Sequence, residues 1–149
     1  MTRALGALSA LLLTAALASG QDTDVFDQVE HHHADNDGVS IHYVTYGEGP
    51  VVLFVHGFPD FWYSWRHQMA GLGDRYTTVA MDLRGYNRSD KPEGVDHYRM
   101  PHLLSDISAV IDDLGVDDVT LVGHDWGAPF PGDTRAHIPS GSTSWSSPT

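Results

Sequence analysis

The chain has 149 residues, enough for one compact domain and too few for two. Its formal net charge of -12, from 8 Lys+Arg against 20 Asp+Glu, repels polyanions and argues against nucleic acid or an anionic membrane surface as a partner. With Cys at 0, a disulfide framework is excluded and stability must come from core packing.

Met1 to Gly20 carries one basic residue, Arg3, then an apolar stretch from about Leu5 to Leu17, with small residues at Ala16-Leu17-Ala18 and Ala18-Ser19-Gly20. It reads as a secretory signal peptide cleaved near Ser19 or Gln21, because the apolar run is shorter than the roughly 20 residues a membrane span needs. The alternative is an uncleaved anchor. Residues 21–130 are then the folded part of an exported chain, secreted or periplasmic, free of the membrane after cleavage. His31-His32-His33 with His42 suggests a metal site, but no carboxylate or cysteine spacing completes a ligand set. These histidines read as polar residues of an N-terminal strand, and no metal is assigned.

Gly38 to Tyr46 is rich in β-branched and aromatic residues, and Gly47-Glu48-Gly49-Pro50 follows as a turn. Val51 to Val55 is a continuous apolar run, as expected of a strand buried on both faces. The two segments read as a hairpin leading into a parallel sheet. Asp60 is placed to cap a helix in which Phe61, Trp65, Met69 and Leu72 share a face. Tyr76 to Met81 is the next strand, closing on Asp82-Leu83-Arg84-Gly85-Tyr86 and a polar loop through Pro92. Pro101 starts an amphipathic helix with Leu103, Leu104, Ile107, Val110, Ile111 and Leu114 at helical spacing, and Gly115 ends it. Val119 to Val122 is a further strand. Strands alternating with helices predict a three-layer α/β sheet, and the sequence contains no internal repeat.

Two strand ends carry chemistry. After Val55 comes His56-Gly57-Phe58-Pro59-Asp60, a Gly-containing turn able to aim backbone N–H groups at a developing oxyanion. Its plainer reading is a tight turn with Pro59 in cis. After Val122 comes Gly123-His124-Asp125-Trp126-Gly127-Ala128. A small-X-acid-X-small-small pattern at the end of a strand matches a nucleophile elbow, the strained turn that lifts one side chain above a sheet. Here that side chain is Asp125. A carboxylate so placed can attack a carbon of an epoxide or alkyl halide and form an ester that water must then hydrolyse. The backbone N–H groups of Phe58 and Trp126 are the nominated oxyanion donors.

HGFPDFWYSWR at 56–66, DLRGYNRSDKP at 82–92 and GHDWGA at 123–128 occur in this order and spacing. Together they resemble the α/β-hydrolase superfamily and, within it, the soluble epoxide hydrolases, over about Val29 to Pro129. The resemblance implies a three-layer α/β-hydrolase fold, truncated after the nucleophile elbow. It implies Asp125 as alkylating nucleophile, Phe58 and Trp126 as oxyanion hole, and His56 and Arg84 as turn-holding residues. A small-molecule substrate, epoxide or halide, is implied, with no metal and no organic cofactor; oligomeric state is not addressed. Haloalkane dehalogenases share the Asp-Trp pair but commonly carry Asn at the position of Phe58, and Phe offers no side-chain donor. A serine esterase is disfavoured because the elbow holds Asp125.

The resemblance also implies a general-base His, its acidic partner and lid tyrosines, all beyond the elbow. His137 is the sole histidine after Asp125 and stands too close to it in sequence. Phe130-Pro131-Gly132 interrupts the helix that should leave the elbow, and Pro139 to Thr149 is Ser/Pro/Gly-rich without periodicity. Residues 131–149 therefore read as an aberrant, disordered tail. Codons permitted for Pro131 to Thr149, read one nucleotide earlier, allow WRYARAYPERVDKLVIPN, which has the pattern of a helix and a following strand. The expectation is a frame slip near Phe130 and Pro131, with no turnover from this chain alone. A non-catalytic secreted fragment is the rival reading.

Overall fold

In the computed structural model, which describes residues 24–127 and 134–137, one sheet is built from β1 (Glu30–Asn36), β2 (Val39–Tyr46), β3 (Val51–Val55), β4 (Thr77–Met81), β5 (Asp118–Gly123) and β6 (Thr134–His137). The spatial order is β1-β2-β4-β3-β5-β6. β3 runs parallel to both β4 and β5. β2 is antiparallel to β1 and β4, and β6 is antiparallel to β5. The segment read as a signal peptide, 1–20, lies outside the described residues.

The strand at the centre of this order, β3, is buried along its whole length, because helical segments cover both faces of the sheet. On one face α2 (Met100–Leu114) lays Leu103, Ile107, Val110 and Ile111 over Leu53, Val79 and Leu121. Pro101 stands in its first turn, and Gly115 ends it in the left-handed region at φ 66°. On the other face Trp62, Trp65 and Met69, from a 3-10 turn (Trp62–Trp65) and α1 (Arg66–Leu72), bury against Val44, Val52, Phe54 and Ala80. Two apolar clusters on opposite faces of one sheet make the three-layer α/β architecture expected from the sequence.

Three local expectations differ from the structure. β2 and β3 do not pair as a hairpin, because β4 lies between them. The tight hairpin is β1–β2, turning at Asp37 and Gly38, both at positive φ, the backbone that a two-residue Asp-Gly turn favours. Asp60 does not cap an α-helix: among the described residues its carboxylate accepts from the adjacent Phe61 N–H, at 2.9 Å. The Trp62 N–H is taken instead by Asp82 from the loop after β4, at 2.9 Å, so the chain passes through a 3-10 turn and α1 begins only at Arg66. Within the tail read as disordered, Thr134–His137 adds a strand to the free edge of β5, satisfying backbone groups that an edge strand leaves open. The remainder of the tail lies outside the described residues.

Candidate active site

Parallel pairing in register puts Val55 beside Met81 on one side and Gly123 on the other. The segments that follow, beginning at His56, Asp82 and His124, therefore emerge together at the carboxyl end of the sheet, where open α/β sheets place their ligands.

Asp125 opens a 3-10 turn, Asp125–Gly127, immediately after β5. Its φ of 55° lies in the left-handed region, which non-glycine residues occupy only when their surroundings hold them there. Two close approaches do so. A Cβ on Gly127 would sit 2.4 Å from the Val55 carbonyl oxygen and 2.5 Å from that of His56. A Cβ on Gly57 would sit 2.6 Å from the Asp125 Cβ and 2.9 Å from its Oδ1. Glycine at 57 and 127 thus lets the end of β3 and the corner after β5 touch. The exposed Asp125 carboxylate accepts the Phe58 N–H at Oδ1, at 3.0 Å. Trp126 is the next residue of the same turn. Phe58 presents its ring to solvent at 64% exposure, and the Phe58–Pro59 bond is cis.

Behind this pair the support is polar and buried. His56 is fully buried, with Nδ1 2.8 Å from the Gly57 carbonyl oxygen and Nε2 accepting the Leu83 N–H at 3.0 Å. Burial pushes the His56 pKa below its ordinary value, against the opposing pull of the Gly57 carbonyl and of Asp82 and Asp60. Asp82 accepts from His42 Nδ1 at 2.6 Å, from the Trp62 N–H and from Asn87 Nδ2 at 2.8 Å. Burial alone would raise the Asp82 pKa, but these hydrogen bonds outweigh it and hold the carboxyl below its usual range. Arg84 forms a two-pronged bond to buried Asp106, with Nε to Oδ2 at 2.6 Å and Nη2 to Oδ1 at 2.5 Å, and also donates to the His97 carbonyl.

The structure brings Asp125, Phe58 and His56 together and places Arg84 one layer further back. Sequence reasoning missed the acidic partners. Asp106 had a signal: it falls between Leu103 and Val110 on the apolar stripe of α2, and a carboxylate on a buried face needs a cation. His42 and Asp82 are 40 residues apart and carried no local signal. His31, His33 and His42 cluster by ring contact, with His31 Nδ1 2.9 Å from His42 Nε2. Among the described residues no group of three or more His, Cys, Asp or Glu is arranged to hold a metal ion.

Residues 50–130 match the family model described as alpha/beta hydrolase fold. The chain is 47% identical over 103 residues to epoxide hydrolase 3 of Siraitia grosvenorii, a match covering 68% of this chain and 33% of that protein. It is 52% identical over 91 residues to epoxide hydrolase 1 of Caenorhabditis elegans, covering 60% and 22%. Among solved structures, the crystal structure of an epoxide hydrolase from Vigna radiata superposes with a TM-score of 0.66 at 51% identity, covering 68% of this chain and 33% of that one. The chain spans about a third or less of the length of these relatives.

Proposed function

Because the chain belongs to the α/β-hydrolase fold family, we propose that it carries the alkylating half of an epoxide-opening hydrolase, with Asp125 as nucleophile at a nucleophile elbow. The observation that carries the reading is the 3.0 Å hydrogen bond from the Phe58 N–H to Asp125 Oδ1. With Oδ1 accepting the Phe58 N–H, Oδ2 is assigned the attack on an epoxide carbon. The carbon–oxygen bond of the ring breaks, the alkoxide takes a proton from water, and an aspartyl ester remains. Oδ1 becomes the ester carbonyl oxygen. When water adds to that carbonyl, the negative charge develops on the atom that the N–H groups of Phe58 and Trp126 are assigned to stabilise. Expulsion of the diol would restore the carboxylate.

That second step needs a base to activate water, and no residue of this chain is assigned to it. His137 pairs in register with Asp118, at the opposite end of β5 from the Asp125 corner, about 16 Å away at roughly 3.3 Å per residue. The expected behaviour is a single alkylation without sustained diol release. Styrene oxide incubated with the full chain, followed by peptide mapping, tests this: one adduct on Asp125, absent from Asp125→Asn, is expected. Absence of an adduct would favour a non-catalytic fragment. Halide release from a haloalkane with the epoxide untouched would favour a dehalogenase.

Two further readings belong to this proposal. Residues 1–20 direct export, which amino-terminal sequencing of the secreted protein checks by locating cleavage near Ser19 or Gln21. The reading frame slips near Phe130 and Pro131; the family match reaching residue 130 and no further supports this, and an intact in-frame gene on resequencing would refute it.

A further inference from the structure

We propose that His56 is a positioning residue for the Asp125 chemistry: its Nδ1–H holds the Gly57 carbonyl so that the other side of the same peptide aims the Phe58 N–H at Asp125. The inference rests on the functional reading above and deepens it.

The tautomer follows from the partners. A carbonyl oxygen only accepts and a backbone N–H only donates. Nδ1 faces the Gly57 oxygen at 2.8 Å and so carries the proton, while Nε2 faces the Leu83 N–H at 3.0 Å and so offers its lone pair. The ring is neutral and locked at both nitrogens, and the Tyr86 ring meets it edge-on, with centroids 5.1 Å apart. The peptide joining Gly57 to Phe58 is trans, the cis bond being the next one. In a trans peptide the C=O and N–H point in opposite directions within one plane. Two donors, His56 Nδ1 and the Asp60 N–H at 3.0 Å, pin the oxygen on one side. The N–H on the other side then points at Asp125 Oδ1, at 3.0 Å. A carbonyl that accepts hydrogen bonds also polarises its own amide, which strengthens the N–H as a donor.

A protonated His56 would set an N–H at Nε2 against the Leu83 N–H. Burial disfavours that state most, and His124 also opposes it. The carboxylates of Asp82 and Asp60 favour it.

Two substitutions separate positioning from mere support. His56→Asn keeps a donor near Nδ1 but is too short to reach Leu83. His56→Gln keeps an acceptor near Nε2 but loses the donor to Gly57. In the full chain, the rate of Asp125 alkylation by styrene oxide and the amide proton shift of Phe58 are measured for both variants. The expected result is alkylation slowed about tenfold in His56→Gln, with the Phe58 amide moved upfield. His56→Asn should stay within about threefold of the parent, since it keeps the donor that aims the Phe58 N–H, whereas a positioning contact misplaced by about 1 Å can cost as much as roughly 100-fold. The idea is overturned if His56→Gln alkylates at the parent rate with an unchanged Phe58 shift, or if both variants fall together in step with lost stability. Should neither variant fold, the ring nitrogen shifts of the parent decide: a proton on Nε2 instead of Nδ1 refutes it. If the parent itself is never alkylated, the functional reading fails, while the Phe58 shifts still decide the positioning role.

Discussion

His42 donates its Nδ1–H to Asp82 Oδ2 across 2.6 Å, with both side chains shut off from solvent. The bond ties β2 to the loop after β4, and the other Asp82 oxygen ties that loop to the turn before α1. Removing one partner leaves buried polar groups unsatisfied, so Asp82→Ala should lose about 3–5 kcal/mol in chemical denaturation. The Asp82 carboxyl is held below its ordinary 3.8. Its contribution is therefore complete above about pH 3.8 and disappears as pH falls through the lower folded value. An acid titration of stability should show that loss in the parent and not in the variant.

His56 gives an acid dependence in a higher window. Its folded value is pushed below the ordinary 6.5 by burial, so the unfolded chain takes up the proton first. Stability from the neutral ring is complete above about pH 6.5 and erodes as pH falls from there toward the folded value. Melting temperature measured from pH 7.5 to 5 should decline less steeply in His56→Asn than in the parent; parallel profiles would contradict the assignment.

Alanine at either close-approach glycine should separate the two sides of the corner. Gly57→Ala drives a methyl into the Asp125 side chain, whereas Gly127→Ala drives one into the carbonyls of Val55 and His56. The first should abolish alkylation of Asp125, because the methyl meets the Asp125 Cβ at 2.6 Å and the His124 carbonyl oxygen at 2.9 Å and displaces the corner that carries the carboxylate. The second should cost about 2–4 kcal/mol of stability, because two carbonyls at the end of β3 must move. Thermal melts run beside adduct mapping distinguish them.

The Arg84–Asp106 pair predicts strong coupling. Asp106→Leu alone strands a buried guanidinium and should cost about 3–5 kcal/mol. Adding Arg84→Met should recover more than half of that loss, which a double-mutant cycle measures. Equal, additive losses would show that the two residues act separately.

The parts legible in the sequence are those written in neighbouring residues. The unbroken run Val51 to Val55 declares a strand covered on both faces. The stripe of Leu103, Ile107, Val110 and Ile111, closed by Gly115, declares α2 and its end. Gly57, Asp125 and Gly127 are legible for a related reason: a sharp corner with close backbone approach tolerates few residue types, so the pattern survives in one dimension. The Asp37-Gly38 hairpin was equally local, and its two-residue signal outranks the longer Gly47 to Pro50 turn as a hairpin former.

Sequence alone determined the buried strand β3, the strands β4 and β5, the apolar face of α2 and the carboxylate at the end of β5, because periodicity, capping and turn sterics act over a few residues. Tertiary structure alone decided that β4 enters between β2 and β3, that Asp82 takes the Trp62 N–H and delays α1, and that His56 and Asp125 act on the two sides of one peptide. Those outcomes depend on which strand fills which gap and which buried donor meets which acceptor. Such choices are settled only when distant parts of the chain compete for the same space and the same hydrogen bonds.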